Sequence, residues 1–159
     1  MGLLKLYKML RSIILIGAFL LLFSVSYAQS NWEAGVRFSP DIAIDATVPI
    51  NAKPRLHAAA YLGGDFALGA YFDWMFGLSD GPTGLAFYPG VGPEIYFGND
   101  LDLGIAGDFG VEYSFDFPLT IGLDWRPGFM ITDSFRWYDG NLGILARFRF
   151  GEGTKFVAK

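Results

Sequence analysis

Between Leu101 and Phe115 the chain alternates with a period of two. Leu101, Leu103, Ile105, Phe109, Val111, Tyr113 and Phe115 interleave with Asp102, Asp108, Glu112, Ser114 and small residues. An extended backbone sends successive side chains to opposite faces, so this stretch reads as one amphipathic strand of about fifteen residues. No apolar repeat of helical spacing competes with it. The same alternation runs through Leu85–Phe97, Leu119–Ile131 and Leu142–Phe150, continues over Phe66–Phe76, and is weaker over Trp32–Phe38, Ile42–Ile50 and Leu56–Leu62.

Turn-forming residues separate these runs: Ser39-Pro40, Asn51 to Pro54, Gly63-Gly64, Ser79 to Thr83, Gly98 to Asp100 and Asp116 to Pro118. About eight strands joined by short turns predict an all-β fold, a single antiparallel up-and-down β-barrel. The segment Thr132 to Gly140 reads as the one long loop. Its Arg136, Trp137 and Tyr138 suit either stacking and bidentate contact with a glycan or protein, or anchoring at a membrane interface. Pro89, Pro93 and Pro127 fall inside predicted strands, where each removes a ladder donor and implies a bulge or break.

Alternation alone does not say which face is the inside. From Leu85 to Phe150 the apolar face carries no charge and is rich in Phe and Trp, too bulky to fit within eight strands. The opposite face is dominated by Gly and charged residues and has no Lys, unlike an ordinary water-facing sheet. The apolar face is therefore expected outside, against lipid, making the fold a transmembrane barrel. Gly on the inner face leaves room for Tyr61, Tyr71, Tyr88 and Tyr96. The acids Glu94, Asp102, Asp108, Glu112 and Asp124 are expected to pair with Arg126, Arg147 and Arg149 as an ion-pair network plugging the lumen.

The N-terminus carries a basic stretch of Lys5, Lys8 and Arg11, an apolar run from Ile13 to Phe23, and small residues at Ser26 and Ala28. That is the pattern of a cleaved signal peptide over residues 1–28, and the run is too short for a membrane-spanning helix. The barrel is then expected over 29–150 and a short tail over 151–159. Cleavage removes three of the 12 cations while all 16 acids remain, a net charge of about −7, which disfavours a nucleic-acid partner.

With no Cys, thiolate metal sites and Cys nucleophiles are excluded, and His57 is the single imidazole. No Ser lies within two residues of His57, so a Ser-His-acid hydrolase has little support, and His57 reads as a lumen or rim hydrogen-bonding residue. Asp108, Glu112 and Asp124 share a face, an arrangement also seen in glycosidases and calcium sites, but neutralisation by three arginines is the simpler account. No cofactor and no metal are expected.

Asn141-Leu142-Gly143-Ile144-Leu145-Ala146-Arg147-Phe148 resembles the assembly signal of bacterial outer-membrane barrels, through Asn141, Gly143 and Phe148, with Phe150 continuing the aromatic ladder. Together with Tyr71-Phe72-Asp73-Trp74, Phe87 to Glu94, and Asp124-Trp125-Arg126-Pro127, it makes the chain similar to the small, eight-stranded outer-membrane β-barrel proteins of Bacteroidota-type bacteria. The resemblance implies a Gram-negative cell envelope, outer-membrane lipids and the barrel-assembly machinery as partners, and a structural or interaction role rather than catalysis. Two other readings remain at this point: a soluble lipocalin-like barrel binding a small apolar ligand, and an outer-membrane enzyme modifying lipid A.

Overall fold

The computed structural model describes residues 32–78, 81–132 and 135–150, all without helix. The expected signal peptide and tail lie outside the described residues. Eleven segments follow one another: β1 (Trp32–Phe38), β2 (Ala43–Pro49), β3 (Pro54–Tyr61), β4 (Phe66–Trp74), β5 (Phe76–Gly77), β6 (Leu85–Phe97), β7 (Leu101–Ser114), β8 (Leu119–Trp125), β9 (Gly128–Met130), β10 (Arg136–Tyr138) and β11 (Leu142–Phe150). Three pairs, β4 with β5, β8 with β9 and β10 with β11, are single staves with an interruption, so the eleven segments make eight staves. Each stave pairs antiparallel with its neighbours in sequence, and β1 pairs with β11 from Trp32↔Phe150 to Phe38↔Ile144, closing the barrel. Closure leaves the sheet without an edge to template further pairing.

The turns after β1, β3 and β6 share one end, the mouth. The outer ends of β1 and β11 share the other with the turns after β2 and β7. Side chains alternate in and out as the period of two requires. Along β7, Ala106 and Asp108 are fully buried, whereas Ile105 and Val111 are 48% and 47% exposed. The buried face is the polar one on every long stave, and the apolar side chains form the outer wall.

The prolines act in different ways. β6 pairs with β7 along its whole length, Pro89 opposite Phe109 and Pro93 opposite Ile105. The missing N–H groups show on its other side, where the ladder to β4 lapses at residues 70–71 and 74–75, opposite Pro93 and Pro89, without a change of register. Pro127 separates β8 from β9, again in constant register against β7, and its carbonyl still accepts from Gly107 N at 2.7 Å.

One expectation is corrected here. Thr132 to Gly140 is not one long loop, because Arg136–Tyr138 forms β10 and pairs with β9. Between the pairs Tyr138↔Gly128 and Leu142↔Trp125, residues 139–141 face residues 126 and 127, so one extra residue bulges out of the last stave. The bulge inverts the alternation: Tyr138, an even position, points inward, while in β11 the odd positions do. Gly140 makes it possible, with φ of 66° and a position where a Cβ would lie 2.0 Å from the Arg126 carbonyl oxygen. Gly140→Ala is expected to lower barrel stability by about 1–3 kcal/mol, read from the denaturation midpoint. An unchanged midpoint would show that the bulge tolerates a side chain and that this reading of Gly140 is wrong.

Candidate functional site

The lumen is filled by charged side chains arranged in layers. Nearest the terminal end, Thr120 Oγ1 donates to Glu33 Oε1 at 2.9 Å and lies 3.2 Å from Ser114 Oγ. Arg149 is buried there, but its Nη2 donates to the carbonyls of Phe115 and Phe117 at 2.6 and 2.7 Å. It caps the turn after β7 and does not take the ion-pair role expected of it.

Two arginines span the next layer. Arg147 on β11 donates through Nε to Glu33 at 3.1 Å, through Nη1 to Asp45 at 2.9 Å and through Nη2 to Glu112. It thereby ties β1, β2 and β7 to β11 across the lumen. Arg55 on β3 donates to Asp73 at 2.9 Å and to both oxygens of Glu112 at 2.9 Å, with its guanidinium 4.3 Å from the centre of the Tyr88 ring.

His57 lies at the centre. Its Nε2 is 2.8 Å from Asp45 Oδ2, and its Nδ1 is 3.1 Å from Asp73 Oδ2 and 2.6 Å from Asp108 Oδ2. Arg126 reaches the same carboxylates from between β8 and β9: Nε donates to Asp108 at 3.2 Å and Nη2 to Asp45 at 2.9 Å, while Nη2 also lies 2.7 Å from Asp124. Arg37 completes the layer above, donating to Asp124 at 2.6 Å, to Ser39 Oγ at 2.7 Å and to the Asn141 carbonyl at 2.6 Å.

The mouth is chemically different. Glu94 is buried but meets no guanidinium; its carboxylate accepts from the hydroxyls of Tyr71, Tyr96 and Tyr138, and from Tyr61 at a long 3.4 Å. Four phenols thus fill the acceptor sites of one carboxylate. The Tyr61 hydroxyl accepts in turn from Arg126 Nη1 at 3.0 Å, linking the phenol cage to the charged layers. A polar cavity of about 80 Å³ opens above it, walled in part by Arg37, Asp65, Tyr96, Arg126 and Tyr138.

Of the eight residues expected in the network, Asp108, Glu112, Asp124, Arg126 and Arg147 are brought together. Glu94 is held by tyrosines, Asp102 accepts from Thr132 Oγ1 at 2.7 Å at the mouth, and Arg149 binds carbonyls. The residues absent from that expectation are Glu33, Arg37, Asp45, Arg55 and Asp73, all on the first four strands, and His57, expected in the lumen or at its rim, lies among them. Their signal is the same alternation, since all six occupy odd positions of strands whose odd face is polar.

The other expected site residues also have places. Arg136 and Trp137 are exposed beside the mouth, with Trp137 packed edge-on against Phe129 at 4.8 Å, whereas Tyr138 turns inward to Glu94. At Gly143 a Cβ would lie 2.4 Å from the Arg37 guanidinium carbon, so this glycine makes room for the arginine. Phe148 and Phe150 point outward and pack edge to face at 5.0 Å. In comparisons with protein-family models, curated proteins and solved structures, nothing matches the chain.

Charges taken this far out of water are tolerated only when paired. Arg147→Ala leaves three carboxylates short of a donor and is expected to cost about 3–5 kcal/mol of stability. Arg149→Ala removes only bonds to carbonyls and is expected to cost about 1 kcal/mol. Denaturation midpoints of the two variants compare them directly, and equal losses would refute the layered reading.

Proposed function

We propose that this chain is an outer-membrane β-barrel protein of a Gram-negative envelope, exported by a signal peptide over residues 1–28, with a structural or interaction role and no catalytic one. The observation that carries this reading is the outer wall. Leu103, Ile105, Phe109, Val111, Ile121, Leu123, Ile144 and Phe148 stand exposed on adjoining staves of a closed barrel whose charges point inward. Water-soluble monomers rarely expose apolar patches beyond a few hundred Å², whereas acyl chains satisfy such a wall. Aromatic pairs stand near both ends: Trp32 stacks on Phe150 at 4.0 Å and Phe115 on Phe117 at 5.0 Å at the terminal end, and Phe66 meets Phe97 at 5.6 Å at the mouth. That distribution suits interfacial girdles.

A lipocalin-like ligand carrier would need an apolar interior, and here ion pairs and phenols occupy it. A lipid-modifying hydrolase would need a hydroxyl nucleophile against His57, whose neighbours are three carboxylates, Arg126 and the Tyr71 ring. The packed lumen likewise argues against a wide pore. In this reading Asn141, Gly143, Phe148 and Phe150 serve recognition by the barrel-assembly machinery. Arg136 and Trp137 at the mouth are the groups most available to a protein or glycan.

The deciding experiment is electrophoretic mobility of the envelope-extracted protein, unheated against boiled. A compact, faster band without heating is expected, whereas protein recovered from the soluble periplasm with no mobility shift would sink the proposal. In refolding into bilayers, Phe109→Arg, near the middle of β7, is expected to cost about 2–4 kcal/mol. The same variant in a soluble barrel would change stability little.

A further inference from the structure

Among the described residues, Asp73 Oδ1 and Asp108 Oδ2 are two of the three buried carboxylate oxygens in the lumen, with Asp124 Oδ2, that have no hydrogen-bond donor. In each case the other oxygen is fixed by an arginine: Arg55 Nε donates to Asp73 Oδ2 at 2.9 Å and Arg126 Nε to Asp108 Oδ1 at 3.2 Å. The two carboxylates converge on His57 Nδ1, Asp108 through its unsatisfied Oδ2 and Asp73 through the Oδ2 that Arg55 also holds, at 3.1 Å. A single N–H there serves one acceptor, and Asp108 Oδ2 comes within 2.6 Å without the alignment of a hydrogen bond. A protonated ring therefore still leaves buried oxygens unsatisfied, which carries their full desolvation penalty.

The far side of the ring is arranged differently. His57 Nε2 lies 2.8 Å from Asp45 Oδ2, the contact by which a metal-ligating histidine gives its remaining N–H to a carboxylate and turns the opposite nitrogen to the metal. Ligand atoms from His57, Asp73 and Asp108 all fall within 4.8 Å of one another. The charge balance agrees. Among the described residues seven buried carboxylates face five buried arginines, an excess of two negative charges when the imidazole is neutral.

We propose that His57 Nδ1, Asp73 and Asp108 bind one divalent transition-metal ion in the lumen. One imidazole and two carboxylates are the donors that zinc and its first-row neighbours accept, and two positive charges cancel the excess. This departs from the sequence-based expectation that arginines alone neutralise these acids. Arg55 and Arg126 become the groups that orient the ligand carboxylates. Arg126 also lines the mouth cavity and lies 3.1 Å from His57 Nε2, so the cavity ends one side chain from the site. The inference concerns the lumen alone and is the same whether lipid or water surrounds the barrel.

The test uses the untagged full chain, folded in detergent, stripped with a chelator, and then equilibrated with zinc and desalted. Elemental mass spectrometry is expected to find about one zinc per folded barrel. His57→Gln and Asp108→Asn should each lower zinc affinity at least tenfold, whereas Asp100→Asn on the mouth turn should not. The mobility shift on heating shows which variants have folded, independently of metal. If the lumen variants do not fold, the wild type decides. With one histidine in the chain, its ring nitrogen resonances report this site alone, and zinc is expected to shift them. Zinc content no higher in folded wild type than in folded His57→Gln, or ring resonances indifferent to zinc, would overturn the proposal.

Discussion

The fold depends on how charge is kept inside a space too narrow for water to solvate it. An interior bounded by eight staves holds little beyond side chains, and an unpaired charge there costs more than most single contacts return. The central layers of the lumen answer that constraint with guanidinium groups set between carboxylates of different staves. Arg147 alone joins β11 to β1, β2 and β7. The barrel is thus braced across its diameter as well as bonded around its circumference. The inner face contains Arg and no Lys because an ammonium lacks the fork of donors that lets one residue meet three carboxylates at fixed angles.

The glycines follow from the same crowding. A Cβ on Gly110 would lie 2.4 Å from the Tyr88 hydroxyl oxygen, one on Gly128 2.3 Å from that of Tyr138, and one on Gly69 2.4 Å from that of Tyr71. Each of these three tyrosines thus lies over a position with no side chain of its own. Gly weakens a strand in isolation, but here it is the complement of a neighbouring tyrosine or arginine on the same inner face. A substitution at one of these glycines would act through its neighbour's displacement and so through the ion-pair layers.

The barrel was legible in the sequence because it rests on one periodicity, and strand ends such as those of β1, β6 and β11 fall where the alternation places them. The site was legible only in part. Asp108, Glu112, Asp124, Arg126 and Arg147 lie in runs of clean alternation, so their shared face could be read. Glu33, Asp45 and Asp73 lie on strands with only one or two charged residues each, which look like ordinary surface. Tyr138 was hidden for another reason: the bulge at residues 139–141 shifts its stave by one residue, and no count of odd and even positions carries across such a shift. Which arginine meets which acid depends on register between staves distant in sequence, so the pool of acids and arginines could be read but not that Arg149 donates to the carbonyls of Phe115 and Phe117.

The two ends of the lumen are built for different purposes. At the terminal end, Arg149 and the Ser114–Thr120 contact tie the plug to the turn and the strand ends, so that end is held by backbone. At the mouth, the carboxylate of Glu94 is solvated by phenols, two of which, on Tyr96 and Tyr138, remain half-buried beneath a small polar cavity. Glu94 thus stands among hydroxyls at the mouth, while the layers beneath it are crossed by Arg37, Arg126, Arg147 and Arg55. A solute path would require those layers to break together, because each arginine shares a carboxylate with the next: Asp124 between Arg37 and Arg126, Asp45 between Arg126 and Arg147, and Glu112 between Arg147 and Arg55. That sharing makes the interior a cooperative brace, in which the loss of one arginine strands carboxylates that its neighbours also hold.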